Sequence, residues 1–482
     1  MRRIKFYGLL LGGLLFLMTS CLGGDDEVTI DDWILGNAQI SGFLLTNDSI
    51  AGLSNVKFTI DQLNGKIYNK DSMPYGTVID EKVLCKLTFD SYLDVARVLF
   101  VNILNNDTVW WGATDNDSID FSSPVEITID ALDGVSTKKY EAKINIHQVN
   151  PETMVWQKHS DLFSGKKYSD MKVIPFRNSY YMYVSENGVS SLFVSDTEKT
   201  NNWKAITLSG FPDKAILSQI TENEDNLYVI SEDGGLYCSS EEQNLTGEQQ
   251  WSQVEGVPAI KTLLGYLSIN IISNTSSVIT GIAIEDGTMK FFRIDKKNNW
   301  EIGTVVPANF PVSGFGSISY ESMYNPRIVV VAGRDINNKL SNNVWSTIDG
   351  KSWALISNDG ALFSPREGVA LSIYDDYFFL IGGIDSKGNA LKDVYVSVDQ
   401  GITWLYNYFV YVDSEDEDSE EQILVEKFYY ELPEDYAARG FNSVVVDDNN
   451  YMLLFGGKAG KDTNVLSDLW RGRINRLGFG KE

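Results

Sequence analysis

Residues 394–404 read VYVSVDQGITW and set Ser397, Asp399, Gly401, Thr403 and Trp404 at short, regular spacing. An aspartate between two hydroxyl residues has two uses. At the edge of a cleft its carboxylate can act on a glycosidic bond, provided a second carboxylate stands across the bond. In a tight turn the same carboxylate and hydroxyls hold backbone N–H groups, and glycine permits the bend. Imidazole chemistry has little to draw on, because the chain has two histidines, His147 and His159, and neither has a nucleophile beside it in sequence. Both are expected to be structural or surface side chains.

The Ser-x-Asp-x-Gly-x-Thr-Trp pattern resembles the Asp box, a motif of bacterial sialidases. A related stretch, STIDGKSW from Ser346 to Trp353, repeats Asp349 and Trp353 one unit earlier with a residue deleted, and FVSDTEKTNNW is a glycine-free relative. Recurrence favours a structural corner, since a catalytic device would occur once. The sialidase resemblance would also require three arginines converging on one carboxylate, and the arginines from Arg177 onward are scattered over several strands.

The elements that carry these corners follow a period. Trp156, Trp203, Trp251, Trp300, Trp353 and Trp404 are spaced 47, 48, 49, 53 and 51 residues apart. Short β-branched and aromatic runs with Gly/Asn/Asp turns at a period near fifty predict propeller blades. The fifth unit reads as four strands, REGVALSIYD, DYFFLIGGI, KDVYVSVD and GITWLYN, whereas the sixth supplies only three before Ile474. The missing strand is expected from MVWQKHS, Met154 to Ser160, so that six four-stranded blades close into a ring with a tryptophan on each outer strand. Closure would remove the open sheet edges of a linear array.

YFFLIGG, YMLLFGG and RIVVVAG, each followed within about ten residues by DVY, DLW or NVW, resemble kelch repeats, in which Gly-Gly ends the second strand. The match covers Ser313 to Ile474 and decays over Met171 to Asp295. This pattern also resembles the propeller of the central domain of galactose oxidase. The copper radical chemistry of that group needs a Cys-Tyr cross-link and histidine ligands, and the only propeller cysteine is Cys238, far in sequence from either histidine. Arg366 and Arg439 each open a first strand. In kelch proteins that bind acidic peptides, arginines at this position contact the ligand, so the resemblance implies that both reach the mouth of the central channel. A salt bridge or a bond to a carbonyl is the structural alternative. Arg334, Asp385 and Lys458, just after second strands, are further candidates for ligand contact.

Residues 33–150 alternate polar and apolar through VKFTIDQ, VLCKLTF, VARVLFVNIL, VEITIDAL and KYEAKINIHQV. Several short strands without a helical stretch predict an immunoglobulin-like β-sandwich ahead of the propeller at 151–482. Its closing hairpin, with Asp133-Gly134 near the turn, resembles that of surface-lipoprotein modules. The whole order resembles the Bacteroidetes lipoproteins grouped as DUF6242, a resemblance that implies a fold and no activity.

Before the sandwich, residues 1–20 read as a signal peptide, with Arg2, Arg3 and Lys5 ahead of an apolar run too short to span a bilayer. MTSC, ending at Cys21, resembles a lipobox in which Met18 stands where leucine is usual. Lipidation at Cys21 is expected, with cleavage near Ser20 to a soluble secreted product as the alternative. The acidic tether 21–32 begins LGGDDE, which resembles the export tag of Bacteroidetes cell-surface lipoproteins. The cell surface is therefore the first expectation and the periplasmic face of the outer membrane the second, with the membrane reached only through lipid.

A formal net charge of −26 opposes binding to nucleic acid. DSEDEDSEEQ, residues 413–422, is expected to be a solvated loop, with weak calcium binding as the alternative. Cys85 and Cys238 are expected to be unpaired apolar side chains. No metal centre, cofactor or complete catalytic set is legible. The sequence therefore predicts a non-catalytic, lipid-anchored envelope protein that presents a propeller to a glycan or protein ligand. A polysaccharide-active glycoside hydrolase or lyase, and a structural subunit of a surface complex, are the alternatives.

Overall fold

The computed structural model describes residues 36–479 except 90–94, 113–117, 197–201, 224–225, 241–246, 272–273, 323–324, 358–362, 407–408, 414–421, 428–429 and 462. The signal segment, Cys21, the tether 21–32 and most of the acidic insertion lie outside the described residues. The chain divides into two compact units, one ending at Pro151 and the other beginning at Glu152.

In the first unit, strands Ile40–Thr46, Val83–Phe89 and Ser118–Ile119 form one sheet. Phe58–Asp61, Lys66–Asn69, Thr137–Lys143, Val125–Asp130, Arg97–Asn102 and Thr108–Trp110, in that spatial order, form the other. Strict alternation drives the packing: Val83, Cys85 and Leu87 point inward from one sheet, and Val125, Ile127 and Ile129 from the other. All six belong to one apolar cluster, so the unit is a two-sheet sandwich. Lys66–Asn69 pairs parallel with Thr137–Lys143, a pairing that the hairpin pattern of the sequence does not announce. Asp133 holds the turn before Thr137 by accepting the N–H groups of Val135 and Ser136 at 2.9 and 2.8 Å.

In the second unit the central strands are apolar without alternation. Pro326–Val331 reads PRIVVV and Tyr377–Ile384 reads YFFLIGGI, with nearly every residue buried. A strand buried on both faces needs neighbours on both faces, and the sheets supply them. Ala370–Tyr374, Tyr377–Ile384, Ala390–Ser397 and Leu405–Tyr406 form a four-stranded antiparallel sheet, the fifth in chain order. Val329 and Val331 of the fourth sheet share one apolar cluster with Phe378 and Leu380 of the fifth, while Phe379 and Ile381 share another with Met452 and Leu454 of the sixth. The sixth sheet takes Ser443–Val446, Met452–Phe455 and Asp468–Ile474, and its outermost strand is Met154–Asp161, which pairs antiparallel with Asp468–Ile474. First strands from all six sheets line one common cavity, and the unit is a β-propeller.

The uniform four-strand expectation fails in one place. Glu248–Gln250 pairs parallel with Lys204–Ser209 and becomes a fifth strand of the first sheet. Only Ser252–Gln253 returns to the second sheet. Trp251 between them is 1% exposed, and its indole N–H donates to Gln249 at 3.1 Å, so burial of the ring decides how the segment is shared. Phe409–Asp413 pairs antiparallel with Gln422–Lys427 on either side of the acidic insertion, whose residues 414–421 lie outside the described residues.

Candidate functional site

The Asp-box residues build a corner. Ser397 donates to Asp399 at 2.8 Å and accepts the Gly401 N–H at 2.8 Å. Asp399 in turn accepts the Thr403 N–H and hydroxyl at 2.8 and 2.7 Å. Burial works to raise the Asp399 carboxyl, but these donors outweigh it and hold it below its usual value. Trp404 is fully buried, its N–H on the Gly401 carbonyl. The corner at Asp349 is the same with Thr347 in the role of Ser397, and it is pinned to the third sheet. Thr280 donates to the Gly350 carbonyl at 2.8 Å, and Arg293 to that of Asp349 at 3.0 Å, while Trp353 packs on Phe291 and Phe310. A third corner escaped the sequence reading for want of a glycine. Asp295 accepts the N–H groups of Lys297 and Asn299, both at 2.8 Å, with Asn298 in the left-handed region.

The ligand roles expected of Arg366 and Arg439 are corrected by their burial, since each is 1% exposed and neither lines the cavity. Arg366 grips Asp393 at 2.6 and 3.1 Å, donates to the Gly382 carbonyl at 3.1 Å and lies over Phe363 and Tyr395. Arg439 repeats the arrangement with Asp468, the Gly456 carbonyl and Tyr436. A buried guanidinium must satisfy its donors, and here third-strand aspartates and second-strand carbonyls of the same sheet do so. The Gly-Gly pair makes the space. Gly382 has φ 62°, and a side chain there would meet the Arg439 carbonyl oxygen of the next sheet at 2.5 Å.

The other three candidates are also committed elsewhere. Arg334 holds Glu367 with two bonds of 2.6 Å. Asp385 caps its own loop through the N–H groups of Lys387 and Asn389, which correct its ligand role to a turn-forming one. Lys458 lies 3.8 Å from Asp170 and faces Phe441. None of the five lines the cavity: the two buried arginines are held inside their own sheets, and Arg334, Asp385 and Lys458 are engaged by the contacts just described.

The cavity itself has a volume of about 470 Å³. Asp170 and Lys172, from the first strand of the first sheet, and Glu222, from that of the second, are its charged residues among those described. Burial raises Asp170, with Lys458 opposing. Burial lowers Lys172, with Asp170 and Glu222 opposing. Burial pushes Glu222 up to about 7, with Lys172 opposing. Ser317, Ser319, Ser372, Gln219 and Asn442 add hydroxyl and amide groups to the wall, and Tyr266 and Phe315 add rings. Asn442 is 7% exposed, and neither atom of its amide has a hydrogen-bond partner among the described residues. Titratable groups shifted by burial in a shared cavity make it the candidate functional site. The sequence reading missed them because SDMKVIPF and QITEN lie in repeats without Gly-Gly, which hides the first-strand alignment. Polar residues interrupting otherwise apolar first strands were the available signal.

A family model described as the DUF6242 beta propeller domain matches residues 150–482, and one described as the DUF6242 N-terminal domain matches residues 37–144. Among solved structures, one titled "Structure of YjhT" aligns over 63% of this chain and 95% of its own length, at 12% identity and a TM-score of 0.43. No functionally curated protein matches the chain.

Proposed function

We propose that this chain, which belongs to the DUF6242 family in both of its units, is a non-catalytic binding protein of the cell envelope whose ligand is a glycan held in the axial cavity. The observation that carries the reading is the cavity wall. Hydroxyls, amides, two carboxylates and one ammonium converge with aromatic rings on a space of about 470 Å³, which suits one or two sugar rings. The propeller is six-bladed and kelch-like, its ring closed by Met154–Asp161, and it keeps the inner strands in place. The sandwich is an immunoglobulin-like spacer. Its first described residues, Gly36–Gln39, lie beside Ser136–Lys138. Lipid on Cys21 would hold the chain at the outer membrane, with the propeller on the cell surface.

Glycan-array screening of the full chain in detergent, beside a Lys172→Met variant, tests the binding role. Selective hits whose pattern the variant changes support it, and an array without hits, together with a protein pull-down that captures a partner, would replace it. Lipid labelling abolished by Cys21→Ala and protease access on intact cells test the anchoring. A second reading, an enzyme acting on polysaccharide, draws on the presence of Asp170 and Glu222 in one cavity, since hydrolysis needs two carboxylates. Release of reducing ends from a bound polysaccharide, lost in Glu222→Gln, would favour it.

A further inference from the structure

The charges of the axial cavity gather on one side of it. Asp170, Lys172 and Glu222 come from the first two sheets, while Ser317, Ser319 and Ser372 line the cavity from the fourth and fifth. Lys172 is the only cation in the lining among the described residues, and its ammonium forms no ion pair or hydrogen bond with any of them. Asp170, two residues away, is engaged elsewhere, accepting the Met171 N–H at 3.0 Å and lying 3.8 Å from Lys458. The Glu222 carboxyl also has no hydrogen-bond partner among the described residues. A cation and an acid thus line the cavity with their hydrogen-bonding capacity unused.

Building on the glycan reading above, we infer that Lys172 anchors a carboxylate on the ligand, so that the cavity takes an acidic saccharide of the uronic-acid type in preference to its neutral counterpart. An ammonium half-buried in the cavity wall and without a hydrogen-bonded partner is under-solvated, and an anionic group at hydrogen-bond distance relieves that cost. The direction of the Lys172 shift, downward through burial, agrees with that geometry. The Ser319 hydroxyl, the Gln219 amide NH2 and both atoms of the Asn442 amide offer donors and acceptors of the kind ring hydroxyls require, which favours a sugar over an acidic peptide.

The neighbours of Lys172 then set a pH dependence. Asp170 on its own strand, Glu222 on the second sheet and Lys458 beside Asp170 are the charged groups facing the cluster. Tyr266 of the third sheet stays a neutral phenol, raised by burial and by Glu222 and Glu321. An incoming carboxylate is repelled by ionised Glu222 and accepted by protonated Glu222, which can itself donate a hydrogen bond to the ligand. Acid binding therefore draws a proton onto Glu222, and by linkage the affinity rises as pH falls from 8 to 6.

Calorimetric titration of the full chain tests this with galacturonic and glucuronic acid disaccharides, the matching galactose and glucose disaccharides, and a glutamate-containing tripeptide, each at pH 6 and pH 8. The acidic sugars should bind at least about tenfold tighter than the neutral ones at pH 6, with the preference shrinking at pH 8. Lys172→Met should abolish the preference while neutral sugars still bind. Glu222→Gln should keep the preference and lose its pH dependence, an arm that stands even if the lysine variant fails to fold. Neutral sugars bound as tightly as acidic ones would overturn the carboxylate anchor and leave the glycan cavity standing. Tighter binding of the tripeptide would overturn the saccharide assignment, and silence from every sugar would overturn both readings.

Discussion

Arg366 and Asp393 are joined by two parallel hydrogen bonds of 2.6 and 3.1 Å inside the fifth sheet, with the guanidinium 1% exposed. Arg439 and Asp468 repeat the pair in the sixth sheet at 2.5 and 3.0 Å. The backbone carbonyls of these arginines carry the link to the preceding sheet, Arg366 accepting from Gly333 at 2.8 Å and Arg439 from Gly383 at 3.0 Å. One residue type thus ties together three strands of its own sheet and the edge of its neighbour. The fourth sheet lacks the pair, with Val312 and Asn343 at the corresponding places.

Removing one partner of the clamp leaves a buried charge unmatched. Asp393→Leu is expected to destabilise the propeller by about 3–5 kcal/mol, Arg366→Met by a comparable amount, and the two combined by clearly less than the sum. Urea unfolding of the two single variants and the double variant checks this, and additive losses would mean that the pair is not coupled.

Asp399→Ala should cost about 1–2 kcal/mol through loss of the turn that seats Trp404, while ligand binding in the cavity stays unchanged. Its carboxyl is held below the usual value, so its contribution is complete above the unfolded pKa and is lost as pH falls through the folded one. The stability gap between wild type and Asp399→Ala should therefore close in acid. A thermal melt series from pH 6 down to pH 3 gives the readout.

Glu222 has the opposite sign. Its carboxyl is raised to about 7 in the folded chain, so the stability linked to it is present below the unfolded value and is lost as pH rises toward 7 and beyond. Glu222→Gln should then be more stable than wild type by roughly 2–3 kcal/mol at pH 8, with the two nearly equal at pH 5. Chemical denaturation at both pH values decides the matter.

Deleting Met154–Ser160 removes the outer strand of the sixth sheet and exposes the edge of Asp468–Ile474. The Trp156 ring lies against Gly472, and Met154 shares an apolar cluster with Ile474, so several contacts fail together. The expected result is loss of the cooperative propeller transition, read by near-ultraviolet circular dichroism on heating. An unchanged profile would contradict the role given to this strand.

Gly382→Ala should destabilise by about 1–3 kcal/mol, because the added carbon meets the Arg439 carbonyl and the backbone is left-handed. The same change at Gly388, where nothing lies within 4 Å of the added carbon, isolates the backbone strain from the clash. Equal losses at the two sites would show that the contact with the next sheet carries no weight.

Local order was legible in the sequence because it depends on neighbours in the chain. Alternation in VLCKLTF and VEITID gave the sandwich strands, unbroken apolar runs gave central strands buried on both faces, and Asp399 with Gly401 gave the corner. The direction in which a long side chain points depends on what remote strands offer it. Arg366 turns inward because Asp393 and the Gly382 carbonyl lie 27 and 16 residues away in sequence and satisfy donors that solvent would otherwise hold. Lys172 and Glu222 share a cavity only because two first strands from different sheets come side by side there, and no local spacing records that approach. The sequence by itself therefore determined the repeats and their turns through local periodicity and hydrogen-bonding chemistry. The tertiary structure alone decided which charges are spent on holding sheets together and which are left facing the cavity, because desolvation and pairing are set by contacts between residues distant in the chain.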